Sequence, residues 1–130
     1  MLKETALKTP RGRVVLMDSI TKVTADDKGA FIVAASHGGA SSGEFALEVP
    51  LGLVVFNDAG VGKDDAGIVA LGMLERRGVP AATVSHESGR IGDARDMWDN
   101  GVISHINKPA RDLGLSQGQR VQDGVKTLLA

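Results

Sequence analysis

The sequence contains no cysteine, and this absence excludes several kinds of chemistry before any motif is considered. Disulfide bonds, thiolate catalysis and sulfur-ligated zinc sites all require thiols. Aromatic residues are scarce as well, with one Trp, three Phe and no Tyr, which disfavours a ligand site built on stacked rings. The core must therefore be built from Val, Ile, Leu, Ala and Met, and any chemistry must come from other polar side chains.

Neither sign of charge dominates the chain. Fifteen basic and sixteen acidic residues give a net charge of -1, which leaves no electrostatic footprint for nucleic acid or for an anionic membrane surface. No apolar run approaches the ~20 residues that a membrane-spanning helix needs. We therefore expect a cytoplasmic protein without a nucleic-acid or membrane partner.

Short apolar runs alternate with helical patterns over a length that suits one domain, residues 1–130. Strands are predicted at 14–17, 30–35, 53–56, 81–84 and 102–106, and helices at 66–77, at 93–100 and after Ser116. The alternation predicts an α/β fold with a doubly wound, flavodoxin-like and mostly parallel sheet of about five strands and flanking helices. Only about eleven residues separate the first two strands, so they pair either in parallel, with a short crossover, or as an antiparallel hairpin.

Two helix boundaries are marked by particular residues. Gly78 suits a left-handed cap and Pro80 prevents continuation, so the first predicted helix ends near Arg77. Ser116 and Gln119 have the spacing of a capping box, which predicts that the last helix begins at this point.

Three of the predicted strands run directly into clusters of small, polar and charged residues, at 36–43, 57–65 and 85–96. If these strands are parallel neighbours, the clusters lie at one edge of the sheet, where open α/β folds bind their ligands. The sequence therefore predicts a composite ligand site at that edge.

The first cluster places a histidine among glycines and serines. His37 is the candidate general acid or base, and the candidate ligand-binding residues beside it are Gly38, Gly39, Ser41 and Ser42. The order Ser36-His37-Gly38 resembles caspase-like proteases, which require a cysteine after the next strand. Asn57 and Asp58 occupy that place, so thiol proteolysis is excluded.

The second cluster resembles a phosphate-binding loop. Residues 59–63 reach a helix start with a lysine, as in the P-loop family, but Asn57 replaces the first glycine and Asp64 replaces the magnesium-binding Ser or Thr. Nucleotide hydrolysis is therefore disfavoured, and the remaining expectation is that backbone amides at a helix start bind a phosphate or carboxylate. The candidate ligand-binding residues are Asn57, Gly60, Gly62 and Lys63. In the alternative interpretation, Asp64 and Asp65 only stabilise the first helical turn.

The third cluster supplies a second histidine, His86, which with Asp58 completes the candidate catalytic residues. Its candidate ligand-binding residues are Ser85, Ser88 and Arg90, because an arginine in such a loop can bind a carboxylate or phosphate with two hydrogen bonds. The alternative is a local salt-bridge network that includes Arg95 and Asp99. His37, His86 and Asp58 could together hold a metal ion, but their spacing does not require one. No metal and no other cofactor is therefore assigned.

Residues 51–129 resemble the second half of a response-regulator receiver domain. Asp58 occupies the place of the phosphoacceptor, Ser85 that of the receiver hydroxyl, and Lys108-Pro109 that of the receiver Lys-Pro pair. The resemblance implies a regulatory module that is phosphorylated on Asp58. Receivers carry paired acids after the first strand, whereas Asp18 is followed here by Ser19.

The leading hypothesis is a protein that binds an anionic small molecule, a carboxylate or a phosphate, at the carboxyl ends of its strands. In the catalytic form of this hypothesis, the protein is a small hydrolase or lyase in which His37 is the general acid or base. Lys63 and Arg90 hold the anion, and Asp58 orients a water, a metal or His86. The alternatives are the receiver-like module and a structural subunit without catalysis. A homo-oligomer is expected in each case, since small α/β domains often complete a site across a dimer.

Overall fold

A computed structural model describes all 130 residues and contains one six-stranded sheet, in the order β1-β2-β3-β4-β5-β6. The strands are β1 Lys3–Thr9, β2 Gly12–Met17, β3 Phe31–His37, β4 Leu53–Asn57, β5 Ala81–Val84 and β6 Ile103–Ile106. The helices are α1 Ala40–Leu47, α2 Val69–Glu75, α3 Ala94–Asn100, α4 Lys108–Leu113 and α5 Val121–Leu128. Strands β2 to β5 are parallel to one another, while β1 and β6 pair antiparallel at the two ends of the sheet.

The parallel strands are apolar along their length because both faces of the sheet are covered. Every residue of β4 is buried, with Leu53 and Val55 facing one core layer and Val54 and Phe56 facing the other. This alternation follows from the two-residue period of a strand, and continuous apolar runs are typical of parallel strands covered on both sides.

Helices α1 and α2 pack on one face of the sheet, and α3, α4 and α5 contribute to the core layer on the other. Successive parallel strands are added here in one direction, so right-handed crossovers place α1 and α2 on the same face. Helix α3 lies on the opposite face because residues 85–93, which we call the crossing segment, run over the carboxyl edge of the sheet before α3 begins. No helix is both long and apolar enough to cross a membrane.

The α/β class, the mostly parallel sheet and the flanking helices are confirmed, but the strand number is six. The additional strand, β1, comes from the N-terminal segment that carried no predicted element, and it forms a hairpin with β2. The first two predicted strands, β2 and β3, are parallel. The flavodoxin-like arrangement is not confirmed, because the strands follow chain order and not the 2-1-3-4-5 order of that fold.

The helix boundaries agree with the sequence in part. Helix α2 is followed by Gly78 in the left-handed region at φ +71°, as predicted, but it begins at Val69 and not at Ala66. Gln119 Oε1 does accept a hydrogen bond from the Ser116 amide at 2.9 Å, yet α5 begins only at Val121. The capping-box contact therefore closes a turn that precedes the helix.

Candidate functional site

The three polar clusters do lie at the carboxyl edge of the sheet, and the crossing segment ties them together. Asn57 Nδ2 donates to the Gly89 carbonyl oxygen at 2.7 Å, and the Gly92 amide donates to the Ala35 carbonyl oxygen at 2.9 Å. Hydrogen bonds to the ends of two neighbouring strands therefore position this segment over β3 and β4.

A cavity of about 340 Å³, which we call the α1 cavity, lies beneath the crossing segment at the ends of β2 and β3. It is lined by residues 19–21 after β2, by 35–37 at the end of β3, by 41, 42 and 45 of α1, and by 91 and 92. The first helical turn of α1 and the side chain of His37 are thus exposed to one shared space.

The start of α1 has unused hydrogen-bond donors. Gly39 is the N-cap and provides no side-chain cap, and the amides of Ala40, Ser41 and Ser42 make no hydrogen bond within the protein. An uncapped helix start carries partial positive charge and favours an anion. Two of these three residues line the α1 cavity.

Ser42 provides a second, independent donor. Its side chain is 5% exposed and lines the α1 cavity, and its hydroxyl has no hydrogen-bond partner in the protein. No fully buried side-chain nitrogen or oxygen of the protein lacks a partner, so this hydroxyl is accessible from the cavity, where a ligand or water can bond to it. Ser36, by contrast, already accepts a hydrogen bond from the Ile20 amide at 2.9 Å.

His37 is held in one tautomer by its own turn. Its Nδ1 accepts the Gly39 amide at 3.1 Å, so in the neutral ring the proton is on Nε2. The exposed Nε2 therefore donates a hydrogen bond and cannot act as a base. Of the predicted role as general acid or base, this geometry disfavours the base, and it favours a role for His37 as an anion ligand.

Gly38 and Gly39 have a steric reason to be glycines. A Cβ at Gly38 would lie 2.5 Å from the Gly67 carbonyl oxygen, and one at Gly39 would lie 2.6 Å from His37 Nδ1. Only without these two side chains can the turn pack against Gly67 and leave room for the ring of His37.

Asp58 and His86 form the second polar centre of this edge. Asp58 is 4% exposed, and its Oδ1 accepts the Gly60 amide at 2.8 Å and the His86 amide at 3.0 Å, while His86 Nδ1 lies 3.5 Å away. His86 itself is about half exposed. Asp58 is thus adjacent to His86, and its role of orienting a water, a metal or His86 stays a prediction.

The pKa of Asp58 reflects two opposing effects. Burial alone would raise it, because a charged carboxylate loses hydration. The hydrogen bonds from Gly60, the Ser104 hydroxyl and His86 outweigh burial, and the nearby His86 ring adds to them, so the pKa lies below its ordinary value. Asp58 is therefore ionised at neutral pH.

Several other predicted ligand residues are occupied by internal contacts. Asn57 is fully buried and bonds to the amide of Ala59 as well as to Gly89. Ser85 and Ser88 hydrogen-bond to each other at 2.8 Å, and Ser88 Oγ also accepts the Val102 amide. These side chains shape the loops at this edge.

The two predicted cationic ligands lie outside the cavities. Lys63 and Arg90 are exposed and line none of the three cavities of the protein. Gly62 lines a further cavity of about 320 Å³, which it shares with His37, and Gly60 lies against the ring of His86. No group of three or more His, Asp or Glu side chains is arranged to hold a metal ion.

Sequence reasoning did not identify some of the lining residues. Ser19 lies two residues after the end of β2, so its place near a strand end was a usable signal. Phe45 and Ile91 also line the α1 cavity, but no local pattern marks them.

The loop between β4 and α2 has unusual backbone strain. Four of its residues that are not glycine lie in the left-handed region, among them Val61 at φ +67°. A β-branched residue is disfavoured there by about 1–2 kcal/mol. The strained loop begins beside Asp58, and Val61 lines the same cavity as His37.

Replacing Val61 with glycine should therefore raise the free energy of unfolding by about 0.5–1 kcal/mol, after the entropy of glycine in the unfolded chain is subtracted. Urea denaturation would measure the change. Val69→Gly, which places the same substitution in α2, should lower stability by about 1 kcal/mol. A loss of stability in Val61→Gly would show that the loop is not strained.

The chain was compared with protein-family models, with curated proteins and with solved structures, and none of these comparisons found a match.

Proposed function

We propose that the protein binds a small monocarboxylate anion in the α1 cavity. One observation carries the proposal: the unpartnered amides at the start of α1 and the unpartnered hydroxyl of Ser42, nine-tenths buried, meet at the same cavity. The Nε2–H of His37 adds a further donor to this set. Amides, a hydroxyl and a neutral imidazole N–H all donate hydrogen bonds, which is what a carboxylate requires.

A carboxylate fits this cavity better than a phosphate does. No Lys or Arg lines it, so the positive charge comes only from the helix start, which amounts to about half an elementary charge. That charge suits a monoanion more than a phosphate dianion. Ile20, Phe45 and Ile91 also line the cavity and provide apolar contacts for a short carbon chain.

The enzymatic form of the proposal is a small hydrolase or lyase that acts on this anion. It assigns the base to His86, because a hydrogen bond from Nδ1 to Asp58 would leave Nε2 free to accept a proton. No cavity is lined by both histidines, so catalysis is secondary to binding in the proposal.

The receiver-like alternative receives less support from the geometry. Asp58 is buried, Ser85 is bonded to Ser88, and Lys108 pairs with Asp112 at 2.9 Å. Asp18, the acid after β2, accepts the amides of Leu2 and Ala94. The residues of the receiver resemblance are thus engaged separately, and magnesium with beryllofluoride should produce no thermal shift.

A homo-oligomer is retained as a proposal, and light scattering tests it.

We expect acetate, propionate or butyrate to shift the amide NMR signals of residues 40–42, and Ser42→Ala to weaken the binding about 5-fold or more. The reason is that a lost hydrogen bond to a charged ligand costs at least about 1 kcal/mol. The titration itself gives the dissociation constant. Ser116→Ala makes the same substitution at an exposed serine outside the cavity and should leave the affinity unchanged.

Two results would contradict the proposal. The first is a set of shifts centred outside residues 36–45, which would place the site elsewhere. The second is equal affinity of Ser42→Ala and Ser116→Ala for every carboxylate. Tighter binding of inorganic phosphate than of the carboxylates at this turn would retain the site but overturn the ligand class.

A further inference from the structure

We infer that the protein has a second anion site, at the opposite edge of the sheet from the α1 cavity, and that it binds the phosphate chain of an oligophosphate. A cavity of about 280 Å³ lies where the turn of the β1–β2 hairpin meets the turn that precedes β3. We call it the basic cavity. It is lined by residues 8–13 and 28–30, none of which belongs to the site proposed above.

The lining of the basic cavity has an unusual charge. Lys8, Arg11, Arg13 and Lys28 all line it, and no Asp or Glu does. The whole chain has a net charge of -1, so this concentration of positive charge is local and is balanced elsewhere. A concave surface lined by one sign of charge raises the local concentration of the opposite ion.

Internal contacts leave much of this charge uncompensated. Lys8 and Lys28 are exposed and make no hydrogen bond or ion pair through their side chains. Arg11 donates to the main-chain oxygen of Ala130 at 3.0 Å and is therefore partly engaged. The two lysines remain free for a ligand.

Asp27 does not neutralise the cavity. Arg13 Nη1 lies 4.0 Å from Asp27 Oδ1, but Asp27 is buried and already pairs with Lys3 at 2.9 Å. Arg13 also donates to the carbonyl oxygen of Asp26. The single carboxylate is thus shared between two cations.

The chemistry of the lining identifies the ligand class. Four cations in one small cavity favour an anion with several charges over a monoanion, because each added charge meets another cation. No aromatic side chain lines the cavity, so no stacking surface is provided for a nucleobase. Recognition therefore depends on the phosphate chain, whether it is inorganic or part of a nucleotide.

Calorimetric titration with inorganic tripolyphosphate, in metal-free buffer of low ionic strength, tests the inference. We expect binding that weakens steeply between about 20 and 200 mM salt, as a charge-dominated site requires. The variant K8Q/K28Q should bind about tenfold more weakly or worse. The control R77Q/K126Q removes two exposed cations elsewhere and should stay within about twofold of the parent protein.

A second titration, with ATP, distinguishes the two sources of a phosphate chain. An affinity within about threefold of that for tripolyphosphate supports recognition of the chain alone. Binding of ATP without binding of tripolyphosphate would overturn the inference. So would the absence of any binding at low salt, or an equal loss of affinity in the two double variants, which would indicate a diffuse field and not a site.

Discussion

Replacing Asn107 with alanine is expected to lower the free energy of unfolding by about 3–4 kcal/mol. Asn107 is 5% exposed and makes four hydrogen bonds to the backbone. Its Oδ1 accepts the amides of Ala81 and Ala110, and its Nδ2 donates to the carbonyl oxygens of Leu71 and Val79. Alanine would leave these buried groups unsatisfied, and each costs about 1–3 kcal/mol where water cannot reach it.

Urea denaturation of Asn107→Ala measures this effect, and Asn100→Ala serves as the control. Asn100 is exposed and bonds only to Asp96, one turn away, so its loss should cost about 0.5 kcal/mol or less. At low pH the protonated side chain of Asn107→Asp retains the acceptor and one donor, so this variant should fall between the parent and Asn107→Ala. A cost below about 1 kcal/mol for Asn107→Ala would show that water satisfies the abandoned groups.

Asp58→Ala has the second largest expected effect, a loss of about 2–4 kcal/mol at pH 7. The carboxylate accepts hydrogen bonds from the Gly60 and His86 amides, and it lies beside the His86 ring. The loops after β4 and β5 therefore meet at this one side chain. Its removal is expected to loosen both.

The loss should depend on pH in a direction that the pKa determines. The pKa of Asp58 in the folded protein lies below its ordinary value of 3.8, so the folded state favours the ionised form. The corresponding stability is fully present above that ordinary value and is lost as the pH falls through the folded pKa. The difference between the parent and Asp58→Ala should therefore be constant above about pH 5 and should shrink in more acidic solution.

Urea titrations from pH 2.5 to 7, on the parent, Asp58→Ala and the control Asp99→Ala, would follow this dependence. Asp99 is an exposed partner of Arg95 at 3.9 Å, and its loss should have little effect at any pH. Asp96 also has a lowered pKa, through hydrogen bonds from the Arg90 amide and Asn100, but it is present in all three proteins and cancels. A pH-independent difference would mean that Asp58 acts through packing and not through its charge.

The sequence predicted the strands that are buried on both sides and the end strand β6, but it did not predict β1, α1 or α4. Strands β2 to β5 are continuous apolar runs, and their signal is strong. Strand β1 is a partly exposed end strand in which Lys3 and Lys8 interrupt the apolar pattern. Helix α1 contains Gly43 and two serines, a composition typical of a loop, and it is stable because Ala46 and Gly43 pack within the fold.

The candidate site could likewise be predicted from the sequence only in part. That polar residues follow each strand was visible locally, and it correctly placed His37 and Ser42 beside one cavity. The sequence did not show which polar groups are already hydrogen-bonded, because the partners of those groups are distant in the chain. Asn57 bonds to a carbonyl 32 residues away and Asp58 to an amide 28 residues away. These candidate ligand residues are therefore engaged in hydrogen bonds to distant parts of the chain, which hold the loops in place.

The strand order has a consequence for how the chain folds. Each strand is hydrogen-bonded to the strand that follows it in the sequence, so no pairing in the sheet must wait for a distant part of the chain. Folding rates fall as the average sequence separation of contacts grows, and parallel sheets are usually slow for that reason. We therefore expect rapid refolding for a mostly parallel sheet, with strands added one after another to a hairpin that forms early.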